Sequence, residues 1–458
     1  MTDFDLVVRA DRVLIDGKWK RAAVGVSGGV IARIGPRHAE WSATHTVGLA
    51  TDEVLIPGVV DTHVHVNEPG RTHWEGFATA TRAAAAGGVT TIIDMPLNSI
   101  PPTTTVAALA AKRAAAAENA AVDIGFWGGA IPDSLGALEP LHDAGVFGFK
   151  AFLSPSGVDE FPHLTAAQLR EAVAETARFG GMVIVHAEDP DRLAPYSGSR
   201  YYEDFMASRP DASETSAIAT VISALRATGG RAHILHLSSA TALNQIRGAK
   251  AEGLRLTVET CPHYLTFDAD HVPDGATEFK CCPPVRDEDN REALWAALAD
   301  GTIDFVASDH SPATVDLKTG ADGDFARAWG GISGLQVMLS AVTSGATARG
   351  IPIETAVSWL TSKPAAFAGL EDKGAIREGA RADLVSFAPG RAWTVEAAGL
   401  EHRNKVSAFD GRALTGQATR TWVGGAQAHP PVPDAPLAGR LIARPALAVQ
   451  GEPAAAQR

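Results

Sequence analysis

The chain has 458 residues, enough for one large domain with an appendage, and its 45% hydrophobic and 20% charged content excludes a disordered protein. The 40 Lys and Arg residues are outnumbered by 53 Asp and Glu residues, so the net charge of −13 argues against binding to nucleic acid or to an anionic membrane. The three cysteines, the acidic first residues and the absence of a long apolar run lead us to expect a soluble, cytoplasmic protein without disulfides.

Short apolar segments alternate with turn signals in the first part of the chain. The segments are residues 6–8, 12–15 and 23–26. Asp16-Gly17 and Gly28-Gly29 punctuate them, and such dipeptides commonly form tight turns. The pattern predicts strands that are connected by hairpins.

From about residue 55, apolar runs alternate with Ala-rich helical stretches. The predicted strands are residues 55–61, 89–94, 122–127, 146–152, 182–186, 233–237, 254–259 and 303–308. Helices predicted over residues 75–86, 166–179 and 214–228 each end at a Gly pair, which supplies the left-handed residue that closes a helix. Strands that alternate with helices in this way predict an α/β fold, a (β/α)8 TIM barrel. A doubly wound sheet is the alternative, because periodicity does not distinguish the two.

Strand-like segments return near the C-terminus. They are residues 374–376, 382–387 and 420–423. We expect residues 1–55 and 375–426 to form one small β-sandwich domain around a catalytic barrel of residues 56–374. Residues 427–458 are rich in Pro and Ala, which predicts a packed-down or disordered tail.

Polar side chains end five of the predicted barrel strands. His63 and His65 stand two apart at the end of the first strand, so both imidazoles lie on one face. Equivalent positions on four further strands hold Lys150, His186, His236 and Asp309. Any one of these residues alone is explained by a core histidine or a helix cap. Because the carboxyl ends of barrel strands meet at one face, the set predicts a single site.

Four imidazoles and a carboxylate suit Zn²⁺ or a similar cation, and the number of ligands predicts two ions rather than one. Co²⁺, Mn²⁺ and Fe²⁺ are accepted by the same ligands. An ammonium at Lys150 would be repelled by such ions. Burial lowers the pKa of a lysine, and the neutral amine can add CO₂ to become a carbamate with two oxygens for two metals. The alternative for Lys150 is a buried salt bridge.

This set, over residues 1–425, resembles the binuclear cyclic-amide hydrolases of the amidohydrolase superfamily. Five short segments within it resemble the allantoinases closely. They are residues 65–76 (HVNEPGRTHWEG), 95–99 (MPLNS), 156–162 (SGVDEFP), 259–265 (ETCPHYL) and 328–332 (AWGGI).

The resemblance implies that Lys150 is an N6-carboxylysine that bridges two metal ions. The implied ligands are His63, His65 and Asp309 for one ion and His186 and His236 for the other. A hydroxide held between the metals would be the nucleophile. Asp309 would be the catalytic residue that accepts the hydroxide proton and returns it to the departing nitrogen.

The resemblance also implies substrate contacts at Asn98, Cys282 and Gly330. Their simpler explanations are an Asx turn, a small buried residue and a glycine turn. Cys282 is not expected to be a nucleophile, since no basic neighbour in sequence would activate it. His73 and His263 are candidates for orienting the metal ligands, although ordinary hydrogen-bonded histidines explain them equally well.

The resemblance implies hydrolysis of the hydantoin ring of allantoin to allantoate in purine breakdown, by a homotetramer or homodimer. The alternatives are a hydantoinase or dihydropyrimidinase, or a catalytically inactive scaffold. Dihydroorotases carry an arginine two residues after the second histidine of the His-x-His pair, where it binds the substrate carboxylate. Here the position is Asn67, so dihydroorotate is expected to be a poor substrate unless Arg71 folds back toward the anion.

Overall fold

The computed structural model describes residues 3–445, and its first part is a β-sheet. The strands are β1 (Phe4–Ile15), β2 (Lys18–Ser27), β3 (Val30–Pro36), β4 (Ala43–Gly48) and β5 (Val54–Pro57). Asp16 and Gly17, both at positive φ, form the tight turn that the sequence predicts between β1 and β2. β1 joins two predicted strands into one, with a register shift between Ala10 and Val13 at the polar interruption.

A parallel barrel follows the N-terminal strands. Its strands are β6 (Val59–Val64), β7 (Val89–Asp94), β8 (Asp123–Phe126) with its short continuation β9 (Gly128–Gly129), β10 (Phe149–Phe152), β11 (Val183–His186), β12 (Arg231–Ile234), β13 (Arg255–Thr260) and β14 (Phe305–Val306). Successive strands pair in parallel, and a parallel bridge between Val64 and His310 joins the last strand region to the first. This closure confirms the TIM barrel and excludes the doubly wound sheet.

Helices connect the barrel strands and cover their outer surface. They are α1 (Phe77–Ala86), α2 (Val106–Ala117), α3 (Glu139–Asp143), α4 (Ala166–Arg178), α5 (Tyr202–Ser208), α6 (Asp211–Thr228), α7 (Leu243–Ala251), α8 (Pro262–Thr266), α9 (Glu288–Asp300), α10 (Val315–Thr319), α11 (Met338–Ala348), α12 (Ile353–Ser358) and α13 (Ser362–Ala368). Gly229 ends α6 in the left-handed conformation, as the sequence predicts. At α1 the left-handed residue is Gly88 rather than Gly87. Within the described residues, no helix has the length and apolar character needed to cross a membrane.

The C-terminal strands complete the sheet that the N-terminal strands begin. They are β15 (Leu384–Thr394), β16 (Ala413–Val423) and β17 (Ala426–His429). β15 pairs antiparallel with β5, so both chain ends form one sheet with a hydrophobic core that includes Val8, Val24 and Trp422. The predicted strand at residues 374–376 is wrong, because Gly374 adopts a left-handed φ of 74° in a loop.

Part of the segment that was predicted as a C-terminal tail, from residue 427 onward, is ordered. Residues 427–429 belong to β17, because the Gly424-Gly425 turn folds the chain back onto β16. Further on, the chain packs down onto the barrel, where the Ile124 N–H donates to Arg440 O (2.9 Å) and the Ile442 N–H donates to Ile124 O (2.8 Å). The remainder of the predicted tail, 446–458, lies outside the described residues.

A buried lysine fastens the chain-end sheet to the barrel. Lys373 Nζ lies 2.8 Å from Asp123 Oδ2 at the start of β8 and 2.5 Å from Asp383 Oδ2 just before β15. All three side chains are at most 3% exposed. The two parts of the fold therefore share a buried ion network.

We predict that Lys373→Met lowers the free energy of unfolding by about 3 kcal/mol, because two buried carboxylates lose a shared cation and Arg381, which also contacts both, offsets only part of that loss. Guanidinium unfolding monitored by circular dichroism measures the shift. Lys20→Met is the control, since it removes only an exposed pair with Asp16 and is expected to cost less than about 1 kcal/mol. Equal shifts in the two variants would contradict a fastening role for Lys373.

Candidate active site

A cavity of about 360 Å³ lies at the carboxyl-terminal end of the barrel strands. The predicted site residues that line it are His65, Lys150, His186, His236, Asp309, Asn98, Cys282 and Gly330. His63 does not line the cavity but is fully buried next to it, with Nε2 3.1 Å from Asp309 Oδ1. The structure therefore brings every predicted ligand and substrate-contact residue to one place.

His63, His65 and Asp309 form one half of the site. Their possible ligand atoms lie within 4.8 Å of one another, and His65 Nε2 is 3.6 Å from Asp309 Oδ1. His63 Nδ1 lies 2.5 Å from Glu259 Oε1, which leaves Nε2 directed toward Asp309. Asp309 has a positive φ of 43°. Residues other than glycine rarely adopt this backbone conformation, and those that do are often found at functional sites.

His186 and His236 form the other half. His186 Nδ1 lies 3.0 Å from His236 Nε2, so two ring nitrogens face each other at the edge of the cavity. His186 Nε2 lies 2.7 Å from Glu188 Oε2, which fixes the orientation of the ring. His236, like Asp309, has a positive φ, here 36°.

The electrostatics of the four histidines fit a metal site. Burial lowers the pKa of His63, His65, His186 and His236, which favours the neutral imidazole that binds metals. Among the described residues, the buried His63 Nε2 forms no hydrogen bond, although it lies 3.1 Å from Asp309 Oδ1. Unpaired buried nitrogens are costly in a folded protein unless a ligand completes them. The residues present therefore fit divalent ions.

Lys150 differs from two other buried lysines, Lys112 and Lys373, in its surroundings. Lys112 lies 2.6 Å from Asp94, and Lys373 contacts two aspartates. Within residues 3–445, Lys150 forms no ion pair, and its Nζ lies 4.6 Å from the centre of the Phe152 ring. Burial lowers the pKa of Lys150 and raises the pKa of Asp309. The negative charge of Asp309 and the positive charge of Lys150 partly oppose these two shifts. The salt-bridge alternative for Lys150 therefore finds no partner in the described part of the chain.

Several residues that support the site were not assigned from the sequence. Glu188 accepts hydrogen bonds from Arg209 and contacts His186, and Arg209 also lines the cavity. Burial raises the pKa of Glu188, but the charge of Arg209 and the bonds from His186 and Arg209 outweigh it and lower the pKa to about 2. Asp61 Oδ1 accepts from the backbone N–H groups of His63 and Ser308, which ties the first strand to the last. Of these supporting residues, only Glu188 and Asp61 could have been identified from the sequence, because each lies two residues from a predicted ligand histidine.

The two candidate orienting histidines behave differently. His73 is exposed and does not line the cavity, so its proposed role is wrong. His263 is buried, and one of its ring nitrogens lies within 4.8 Å of possible ligand atoms of Cys261 and Asp309. Its position agrees with a supporting role.

Asn67 and Arg71, the two positions considered for binding a substrate carboxylate, do not line the cavity. Asn67 is buried, and its Nδ2 donates to Pro312 O at 3.2 Å rather than facing the cavity. Arg71 pairs with Glu160 and donates to Asn98 O at 2.8 Å. Arg71 therefore contributes to the cavity by holding the backbone at Asn98, and its charge is already neutralised.

Lys318 holds one wall of the cavity together. Its buried ammonium donates to the carbonyls of Lys280 (2.7 Å), Trp329 (3.1 Å) and Gly331 (2.6 Å). The loop of residues 326–331 supplies cavity-lining groups, including Gly330. Three bonds to one cation hold that loop against α10 and the segment at Lys280.

The chain belongs to the amidohydrolase family, whose family model matches residues 54–428. It is 55% identical over 446 residues to an allantoinase of Streptomyces avermitilis, covering 97% of this chain and 100% of that one. An allantoinase of Arabidopsis thaliana is 40% identical over 439 residues, covering 91% and 87%. These matches confirm the resemblance that the sequence motifs indicate.

Solved structures confirm the architecture. An L-hydantoinase (dihydropyrimidinase) from Arthrobacter aurescens has a TM-score of 0.91 and 30% identity, covering 96% of this chain and 100% of that one. A D-hydantoinase structure has a TM-score of 0.86 and 25% identity, covering 96% and 99%. The barrel with a sheet from both chain ends is thus shared with cyclic-amide hydrolases.

We predict that Lys318→Met speeds hydrogen exchange of the backbone amides in residues 326–331 by about 10- to 100-fold, because three charge-assisted hydrogen bonds are lost. Hydrogen exchange with mass spectrometry measures the rates. The exposed Lys20→Met is the control and should leave this segment unchanged. Unaltered exchange in Lys318→Met would show that other contacts hold the loop.

Proposed function

We propose that the protein hydrolyses the hydantoin ring of allantoin to allantoate, a step of purine breakdown. The observation that carries the proposal is the convergence of three histidines, Lys150 and Asp309 on one cavity, with His63 buried against Asp309, in a chain 55% identical to an allantoinase. A cavity of about 360 Å³ suits a small cyclic ureide rather than a polymer.

Two divalent ions are the proposed cofactors, with Zn²⁺ the first choice and Co²⁺, Mn²⁺ and Fe²⁺ as substitutes. His63, His65 and Asp309 would hold one ion, and His186 and His236 the other. Lys150, carbamylated by CO₂, would bridge them, in agreement with its burial and its lack of a carboxylate partner in the described range. When bound, such ions lower the pKa of a shared water and polarise the amide carbonyl.

Asp309 is the proposed proton carrier. Burial raises the pKa of its carboxyl group, which makes it a better base than an exposed aspartate. Its carboxylate would accept the proton of the attacking water at one oxygen and return it to the ring nitrogen as the amide bond breaks. No further cofactor is needed for this exchange.

Asn98, Cys282 and Gly330 are the proposed substrate contacts. All three line the cavity, and a Cβ at Gly330 would lie 3.7 Å from Cys282 Sγ, so these two form one wall. Asn98 has a positive φ of 65°, and Arg71 binds its carbonyl. Burial raises the pKa of the Cys282 thiol, which agrees with a wall residue rather than a nucleophile.

Other cyclic-amide substrates are the second candidate, because the structural neighbours include hydantoinases and dihydropyrimidinases. An inactive scaffold is disfavoured, since every ligand position holds a competent side chain. We further propose a cytoplasmic homotetramer or homodimer that binds neither nucleic acid nor membranes.

The function is tested by a turnover panel of allantoin, hydantoin, dihydrouracil and dihydroorotate. We predict the highest kcat/KM for allantoin, and a poor value for dihydroorotate because the charge of Arg71 is already taken by Glu160 and Asn67 is neutral. Arg209 lines the cavity, but Glu188 neutralises it. A kcat/KM for dihydroorotate equal to or above that for allantoin would contradict the assignment.

We predict that Asp309→Asn lowers kcat by about 10²- to 10⁴-fold, because the amide cannot carry the proton. Steady-state kinetics with allantoin measures kcat and KM, and circular dichroism checks the fold. Asp300→Asn, at an exposed position at the end of α9, is the matched control. An unchanged kcat in Asp309→Asn would remove this residue from the mechanism.

A further inference from the structure

Glu188 is a buried carboxylate that lies between a predicted metal ligand and an arginine. Its Oε2 lies 2.7 Å from His186 Nε2, while Arg209 donates from Nε to Oε1 (3.0 Å) and from Nη2 to Oε2 (2.7 Å). Glu188 is fully buried, and Arg209 is 19% exposed and lines the cavity. The three side chains form a clamp, which we call the 186–188–209 clamp.

The chemistry of the clamp decides which nitrogen of His186 faces the cavity. A carboxylate paired with a guanidinium can only accept hydrogen bonds, so His186 must carry its proton on Nε2. The lone pair of Nδ1 is then free toward His236 Nε2 and the cavity. Arg209 also supplies the positive charge without which a buried Glu188 carboxylate is costly.

The other half of the site is built differently. His63 uses Nδ1 toward Glu259, so its Nε2 faces Asp309. Glu259 also lies 3.1 Å from His233 Nε2, and within residues 3–445 it has no lysine or arginine at ion-pair distance. Glu259, unlike Glu188, therefore contacts a ligand histidine without a lysine or arginine beside it in the described residues.

We propose that Arg209, acting through Glu188, is a positioning residue that sets the metal affinity of the His186–His236 position and not that of the His63–His65 position. This inference rests on the proposed two-metal function. Loss of Arg209 removes the two hydrogen bonds that fix the Glu188 carboxylate, so the carboxylate can turn away and no longer holds the His186 ring with Nδ1 toward the metal. Partners of this kind commonly contribute 10- to 100-fold to metal affinity.

The test is a Zn²⁺ titration of metal-free protein against a competing chelator, with metal per subunit determined by mass spectrometry. We predict that the wild type binds two ions and that Arg209→Gln loses about 10- to 100-fold affinity for one ion only. Arg209→Lys should recover part of this loss, since lysine keeps the positive charge but cannot form the bidentate contact with Glu188. Anomalous scattering from crystals of partially loaded Arg209→Gln should place the retained ion at His63 and His65.

Two further variants separate the clamp from a general effect of charge. Arg327→Gln removes an exposed positive charge that lines the cavity but has no contact with Glu188, and both affinities should stay unchanged. Glu259→Gln should weaken the His63–His65 position instead. If Arg209→Gln does not fold, as judged by thermal melting, Glu188→Gln provides the same comparison, because it removes the group through which Arg209 acts.

The inference is overturned if Arg209→Gln, or Glu188→Gln in its place, binds both ions as the wild type does or loses affinity equally at both positions. A wild type that binds no Zn²⁺ would instead contradict the proposed function itself. The two failures are therefore distinguishable by the wild-type titration alone.

Discussion

The burial of Lys150 among four imidazoles, without a carboxylate at ion-pair distance in the described part of the chain, is the constraint on which the site depends. A buried ammonium in that position is costly, and so is the buried His63 Nε2 that forms no hydrogen bond. The two divalent ions and the carbamate proposed above would resolve both costs together. The surrounding fold holds Lys150 and the histidines in place.

The barrel holds them by bringing separate strand ends to one edge. Asp61 ties the first strand to the last through the backbone of His63 and Ser308, so closure of the barrel and placement of the first histidine pair are linked. The sheet from the two chain ends lies apart from the cavity and is fastened through Lys373. Lys318 and Arg71 then shape the cavity walls by binding backbone carbonyls.

The sequence predicted the barrel and the residues that meet at its carboxyl edge because each of those residues is a polar residue that ends an apolar run, a pattern that is local. Glu188 lies two residues beyond His186, but its partner Arg209 comes from the segment between α5 and α6, and nothing local connects them. Asn67 lies where dihydroorotases carry an arginine, but its side chain donates to Pro312 O, a partner that is distant in sequence. Residues 374–376 were predicted as a strand because apolar residues follow a glycine. The same pattern is common in turns, and the structure has a loop there.

Carbon-13 NMR of metal-loaded protein prepared with ¹³C-labelled bicarbonate tests the proposed Lys150 carbamate most directly. We predict one labelled carbamate carbon per subunit in the wild type and none in Lys150→Ala. Full metal loading and full turnover without a labelled carbon would contradict a carbamate at Lys150, and with it the explanation for why this lysine is buried without an ion-pair partner.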